Sequence, residues 1–187
     1  MGTKLTDADF KEAADLIGVD VATIHAVTDV ESRGGGYDDK ERLIARFEGH
    51  KFRKFTNNKF DASNPNVSYP YSRQNLKAKP HGYSAFSEAF ALDPHAAMVS
   101  TSWGMFQPMG EYFGECGFDS VDDMVTAYRE SEGAQLKGFI KQVKARGLVD
   151  KLKRRDWAGF AKNYNGADYA VNAYDKKLSQ AYARHSK

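Results

Sequence analysis

The chain has a single cysteine, Cys116, among 187 residues. No disulfide can close within it, so the fold does not depend on an oxidising compartment. Long apolar runs are also missing: none approaches the roughly 20 residues that span a bilayer. The N-terminal MGTKLTDADF lacks a basic patch followed by an apolar stretch, which argues against a secretory leader. Neither an internal repeat nor a low-complexity linker is found, so residues 1–187 read as one domain without a separate second module. His25, His50, His81, His95 and His185 lie far apart and without ligand spacing. Metal binding is not expected, and no cofactor motif appears.

What is present suits a folded globule. Hydrophobic residues make up 41% and aromatics 13%, and a chain this long buries about 70% of its unfolded surface. Net charge is only +2 but unevenly spread: residues 137–187 hold 13 Lys/Arg against 4 Asp/Glu, the rest 14 against 21. A basic end of +9 can meet a polyanion or simply be a solvated helix surface. Acidic residues in the other part and the lack of a recognition motif argue against nucleic acid.

Helical spacing dominates. Thr6 and Asp9 form a capping pattern ahead of Phe10, Ala13, Ala14 and Ile17, and Gly18 ends that helix. Asp20 caps VATIHAVTDVE, in which Val21, Ile24, Val27 and Thr28 form a stripe that reaches Glu31 one turn later. Residues 42–48 (RLIARFE) are the strand candidate, with short neighbours near Tyr37 and Phe60. Residues 61–83, rich in Asn, Pro, Ser and Tyr with Pro65, Pro70 and Pro80, read as a long ordered loop. SAFSEAFAL is a helix and Asp93-Pro94 starts another. One long helix is expected from Ser120 to about Arg146, ended by Gly147; then WAGFAKNY capped by Asp156, and a last helix from Tyr169 to about Ala183. The expected class is mostly α (α+β), with a small β element after the second helix.

Three stretches carry chemistry. In DVESRGGGYDD, a carboxyl on the apolar side of a helix end loses hydration and feels the negative end of the helix dipole. Both keep its proton, as a general acid requires. The glycines of Gly34-Gly35-Gly36 would let the chain turn away and leave the acid accessible; pairing with Arg33 or a lysine is the plainer reading. In SWGMFQPM, Gly104 permits close backbone approach and Gln107 offers a donor and an acceptor to a sugar. Tyr164-Asn165-Gly166 closes an amphipathic helix. Trp103, Trp157 and Cys116 read as core, Tyr69, Tyr71 and Tyr83 as loop aromatics able to stack on sugars, and Glu130 and Glu132 as helix-surface or buried, paired acids.

In this order, VESRGGGY, RFEGHKF, FDASNP, TSWGMFQPMG, ESEGAQLKGFI and DWAGFAKNYNGADY resemble the N-acetylmuramidase domain of phage endolysins, in the lysozyme-like superfamily with goose-type lysozymes and soluble lytic transglycosylases. The resemblance runs from about Ile24 to Ala183. It implies a lysozyme-like fold and cleavage of the β-1,4 bond between N-acetylmuramic acid and N-acetylglucosamine. Glu31 becomes the general acid, Ser102, Gly104 and Gln107 line the cleft, and Tyr164 and Asn165 face the acid. The chain departs from the family's Phe-Glu-Arg-His-like run at Gly49, within Phe47-Glu48-Gly49-His50.

Glycoside hydrolysis usually employs a second carboxylate. Glu48 is the first choice, Asp38 and Asp39 the rivals; a lone acid would instead suit a transglycosylase, in which the sugar's 6-hydroxyl attacks. A domain that binds the wall without turnover is the reading from another class, and Glu31 in its Glu-Ser context argues against it. The expected partner is the peptidoglycan glycan strand, met by a monomer. The basic run Lys151, Lys153, Arg154 and Arg155 is a candidate for contact with anionic lipid or lipopolysaccharide. The resemblance also implies synthesis in the host cytoplasm and access to the wall after a holin opens the membrane.

Overall fold

The computed structural model describes residues 2–32, 34–73 and 82–187. Helices α1 (Asp7–Ile17) and α2 (Val21–Glu31) begin as their caps require: Thr6 and Asp9 close a reciprocal capping box, and Asp20 accepts from the Thr23 N–H. Gly18 ends α1 in the left-handed conformation at φ 68°. Strand β1 (Ala45–Phe47) is followed by α3 (Gly49–Phe55), α4 (Tyr83–Leu92) and α5 (Pro94–Val99). Strand β2 (Thr101–Trp103) pairs antiparallel with β1, placing Ala45 opposite Trp103 and Phe47 opposite Thr101. Then come α6 (Val121–Glu130), α7 (Glu132–Ala145), α8 (Val149–Lys153), α9 (Trp157–Asn165) and α10 (Tyr174–His185).

Several expectations are corrected. The strand is shorter than residues 42–48, because Glu48 leaves the ladder to become the N-cap of α3. Its partner is β2, which overlaps the start of SWGMFQPM; Tyr37 makes only an isolated bridge to Leu43, and Phe60 lies in turns. The single helix of residues 120–146 is two helices, because Ser131 adopts φ −156° and ψ 132° and caps α7 through the Ala134 N–H. The last helix starts at Tyr174, after a 3-10 turn at Ala167–Ala170. The stretch 74–81 of the expected loop, with Pro80 and His81, lies outside the described residues, as does Arg33.

Apolar side chains gather in two clusters. One joins the sheet to α3–α6 around Phe52, Phe86, Trp103 and Met124; the other joins α1, α2 and α7–α10 around Ile24, Phe139, Ile140 and Phe160. Trp103 and Cys116 are fully buried, as core residues. Tyr69, expected on an exposed loop, is buried at 2%, while Tyr71 is exposed at 73%. The burial of Tyr69 accounts for Gly49: a Cβ there would sit 2.2 Å from the Tyr69 ring.

The first turn of α7 ties the parts together. Glu132, only 4% exposed, accepts from the Gly36 N–H at 2.9 Å, Lys4 Nζ at 2.9 Å and the Leu5 N–H at 3.2 Å. One turn on, Gln135 accepts from the Met105 N–H and donates to the Tyr128 carbonyl, each at 2.8 Å. A Cβ on Gly36 or Gly104 would lie 2.3 or 2.5 Å from Gln135 Oε1, so both glycines serve close approach to this amide.

Burial pushes the Glu132 pKa up, but its hydrogen bonds from Gly36, Lys4 and Leu5 outweigh that and hold it below 4.5. Removing the carboxylate strands two backbone N–H groups, so Glu132→Ala is expected to cost about 3 kcal/mol in urea unfolding. Because folding lowers this pKa, the contribution is complete above the ordinary value of 4.5 and fades as pH falls through the lowered folded value. The stability gap between parent and variant should therefore narrow in acid; a gap that is constant with pH would contradict the ion-paired role.

Candidate active site

The end of α2 opens into a cleft of about 310 Å³, whose wall includes Glu31, Gln107, Tyr112, Arg146, Tyr164 and Asn165. Glu31 is the last residue of its helix, and Ser32 turns the chain out at ψ 150°. Ile24, Val27 and Thr28, on the same stripe, are buried, while Val21 at its start is 38% exposed. Asn165 Nδ2 donates to Glu31 Oε1 at 2.9 Å. Burial raises the pKa of Glu31, and the Asn165 hydrogen bond offsets only part of that rise. The helix C-terminus pushes the same way. The proton is thus held more tightly than on an exposed glutamate.

Tyr164 is set by stacking. Its ring lies parallel to Phe160 at 5.6 Å and edge-on to Phe139 at 5.3 Å, and Phe139 in turn stacks on Phe106 at 4.3 Å. Each such pair contributes about 0.5–1.5 kcal/mol beyond its buried area. The chain of rings fixes the end of α9, and so aims Asn165. Burial, then the nearby Glu31, pushes the Tyr164 hydroxyl pKa well up, so it stays a neutral donor.

The other sequence candidates divide. Gln107 lines the cleft, with a positive φ of 53° and its Nε2 bonded to the Gly104 carbonyl at 2.7 Å. Ser102 and Gly104 are not among the residues that line it. Ser102 sits opposite Arg46 in the sheet and donates to Met109 Sδ at 3.0 Å; Gly104 lies against Gln135. Both support the wall from behind. Glu48 likewise stands outside this lining, capping α3 and paired with Arg46 at 3.4 Å and His50 at 3.7 Å. Asp38 is engaged by a fork of Arg42, through Nη2 at 2.7 Å and Nε at 2.9 Å, which holds its carboxyl below the usual range.

Sequence reading missed Tyr112, Gln142, Arg146 and Tyr174 on the wall. They come from α7 and its C-cap, the start of α10 and the segment after β2, and no local pattern distinguishes them from surface residues. Of the basic run near residue 153, Arg155 pairs with Asp20 at 2.9 Å and Lys151 with Asp156 at 3.4 Å. No group of three or more His, Cys, Asp or Glu among the described residues is arranged to hold a metal. None of the described helices is long and apolar enough to cross a membrane.

Comparison with known proteins follows the same lines. The family model for N-acetylmuramidase matches residues 20–186. The chain belongs to the N-acetylmuramidase family. The crystal structure of the Burkholderia AP3 phage endolysin superposes with a TM-score of 0.89 at 34% identity, covering 98% of this chain and 72% of that one. No curated protein sequence matches it. This muramidase is therefore a peptidoglycan-cleaving enzyme of lysozyme-like α+β fold, mostly helical with a two-stranded sheet.

Asn165 stabilises the ionised carboxylate of Glu31, so Asn165→Ala should raise the Glu31 pKa further. If Glu31 works as an acid, the alkaline limb of the pH–activity profile should shift upward; a limb that stays fixed or shifts down would contradict the contact's electrostatic role.

Proposed function

We propose that this muramidase is an endolysin that cleaves the β-1,4 bond between N-acetylmuramic acid and N-acetylglucosamine, with Glu31 as general acid. The observation that carries this reading is a carboxyl at a helix end, its pKa raised by burial, bonded to Asn165 and open to a cleft. Glu31 gives its proton to the bridging oxygen as the bond breaks, and the sugar left behind develops oxocarbenium character. Water then adds to the anomeric carbon and the emptied carboxylate takes its proton, which restores Glu31 and leaves a reducing sugar end. Tyr164, Asn165 and Gln107 bind and orient the strand. The protein would be made in the host cytoplasm and reach the wall once a holin opens the membrane, working as a single domain and a monomer.

A second reading has its own observation. Among the described residues lining the cleft, Glu31 is the one carboxyl. A lone acid serves hydrolysis when water attacks, and equally serves a lytic transglycosylase when the 6-hydroxyl of the same sugar attacks. Family membership supports water. Glu48 remains the candidate for a second carboxylate only if the bound strand extends beyond this cleft.

Glu31→Gln should clear purified sacculi at least about 100-fold more slowly than the parent while keeping its circular dichroism spectrum. Glu48→Gln should retain most of the rate. Mass spectrometry of the parent's digest should find reducing N-acetylmuramic acid ends. Products ending in 1,6-anhydro sugar would replace hydrolysis with the transglycosylase reaction, and an active Glu31→Gln would remove the mechanism.

A further inference from the structure

We propose that Arg146 is the residue through which this cleft reads the peptide arm of peptidoglycan, taking a carboxylate of the stem peptide while Glu31 serves the glycosidic oxygen. The inference rests on the glycan-cleaving reading above and assigns a specificity to the same site.

Among the described residues that line the cleft, Arg146 is the one cation. It follows the last residue of α7 as the C-cap, and Gln142 lies one turn before it. Its Nε donates to Glu115 Oε2 at 2.9 Å, and Gln142 Nε2 reaches the same oxygen at 3.3 Å. The guanidinium carbon lies 5.1 Å from the Tyr112 ring centre and 6.0 Å from that of Tyr164. One edge of the planar fork is thus committed, and two rings limit the direction of the rest.

A guanidinium held this way is pre-organised for a planar anion. It is weakly hydrated, it favours aromatic faces, and its paired N–H groups match a carboxylate. It is also separate from the acid chemistry. The acidity of Glu31 is set by burial and Asn165, whereas Arg146 acts on the neighbouring Tyr164. A cation placed to tune the acid would have lowered its pKa and spoiled it as a proton donor.

The substrate supplies an anion in one place. The N-acetylated sugars of the strand are neutral, and the lactyl carboxyl of the muramic acid is consumed in its amide to the peptide. The carboxylates within reach of a glycan-binding cleft are therefore those of the stem peptide. Removing them from the wall yields the lactyl carboxylate instead, which distinguishes the two sources.

The test compares kcat/KM for the parent, Arg146→Met and Glu115→Gln, read as new chain ends, on three substrates. These are sacculi with free stem carboxylates, the same sacculi with those carboxylates amidated, and glycan strands stripped of peptide by an amidase. Arg146→Met should lose about tenfold on the first, mainly in KM. It should match the parent on amidated sacculi and on stripped strands. Glu115→Gln, which keeps the cation and still offers an amide oxygen to Arg146 Nε, should lose less than Arg146→Met on the first substrate and match the parent on the other two.

Equal losses on all three substrates, by Arg146→Met or by Glu115→Gln, would show a structural role and overturn the inference alone. A loss confined to stripped strands would assign the lactyl group and overturn the stem-peptide reading. Failure of the parent on all three would overturn the glycan-cleaving reading, and this inference with it.

Discussion

One contact spans the molecule: the Asn165 amide on the Glu31 carboxyl, 134 residues apart in sequence. An acid at the end of a helix is ordinary when water surrounds it. Half-buried against another helix, it holds its proton more tightly, and the one amide partner it has here offsets only part of that. The contact therefore both closes α9 onto α2 and offsets part of the rise that burial gives the acid's pKa. Much of the rest of the fold can be understood as what holds these two helix ends together.

Two supports act from opposite sides. From below, Phe106, Phe139, Phe160 and Tyr164 form a continuous run of ring contacts that fixes the end of α9. From the side, α10 packs along α2: His25 lies between Phe10 and His185 at 3.8 and 4.7 Å, and Asp29 meets His185 at 2.9 Å and Arg184 at 3.1 Å. At the far end of α2, Asp20 works against its own desolvation. Hydrogen bonds from Thr23, Arg155 and Tyr182 hold its carboxyl at about 2. The start of α2 is thereby tied to the loop after α8 and to α10. The glycine turn that follows Glu31 is fixed independently by Glu132 and Gln135, so the chain leaves the site along a defined path.

Local signals in the sequence carried far where the physics is local. Thr6, Asp20, Asp93 and Asp156 each cap the helix they announced, and the apolar stripe of α2 ends at a half-buried Glu31. Less was legible where partners are distant. The pairing of β1 with β2 brings together residues 45 and 103, which no periodicity encodes. The break at Ser131 is decided by its parallel bridge to Thr3 and by the burial of Glu132, not by helix propensity. The three glycines read as a turn that frees the acid, and Gly36 is also needed because the Gln135 amide leaves no room for a Cβ. Within the site, Glu31, Gln107, Tyr164 and Asn165 could be named from sequence and lie on one cleft wall, whereas Ser102, Gly104 and Glu48 lie off it. Arg146 carried no signal beyond its place near a helix end.

Everything chemical depends on the state of one carboxyl, and that state can be observed directly. A carbon-13 NMR titration of the Glu31 side chain in the unmodified enzyme should give a midpoint above the ordinary 4.5. A midpoint at or below 4.5 would mean a solvated, ionised group, and the cleft would then hold no acid to give.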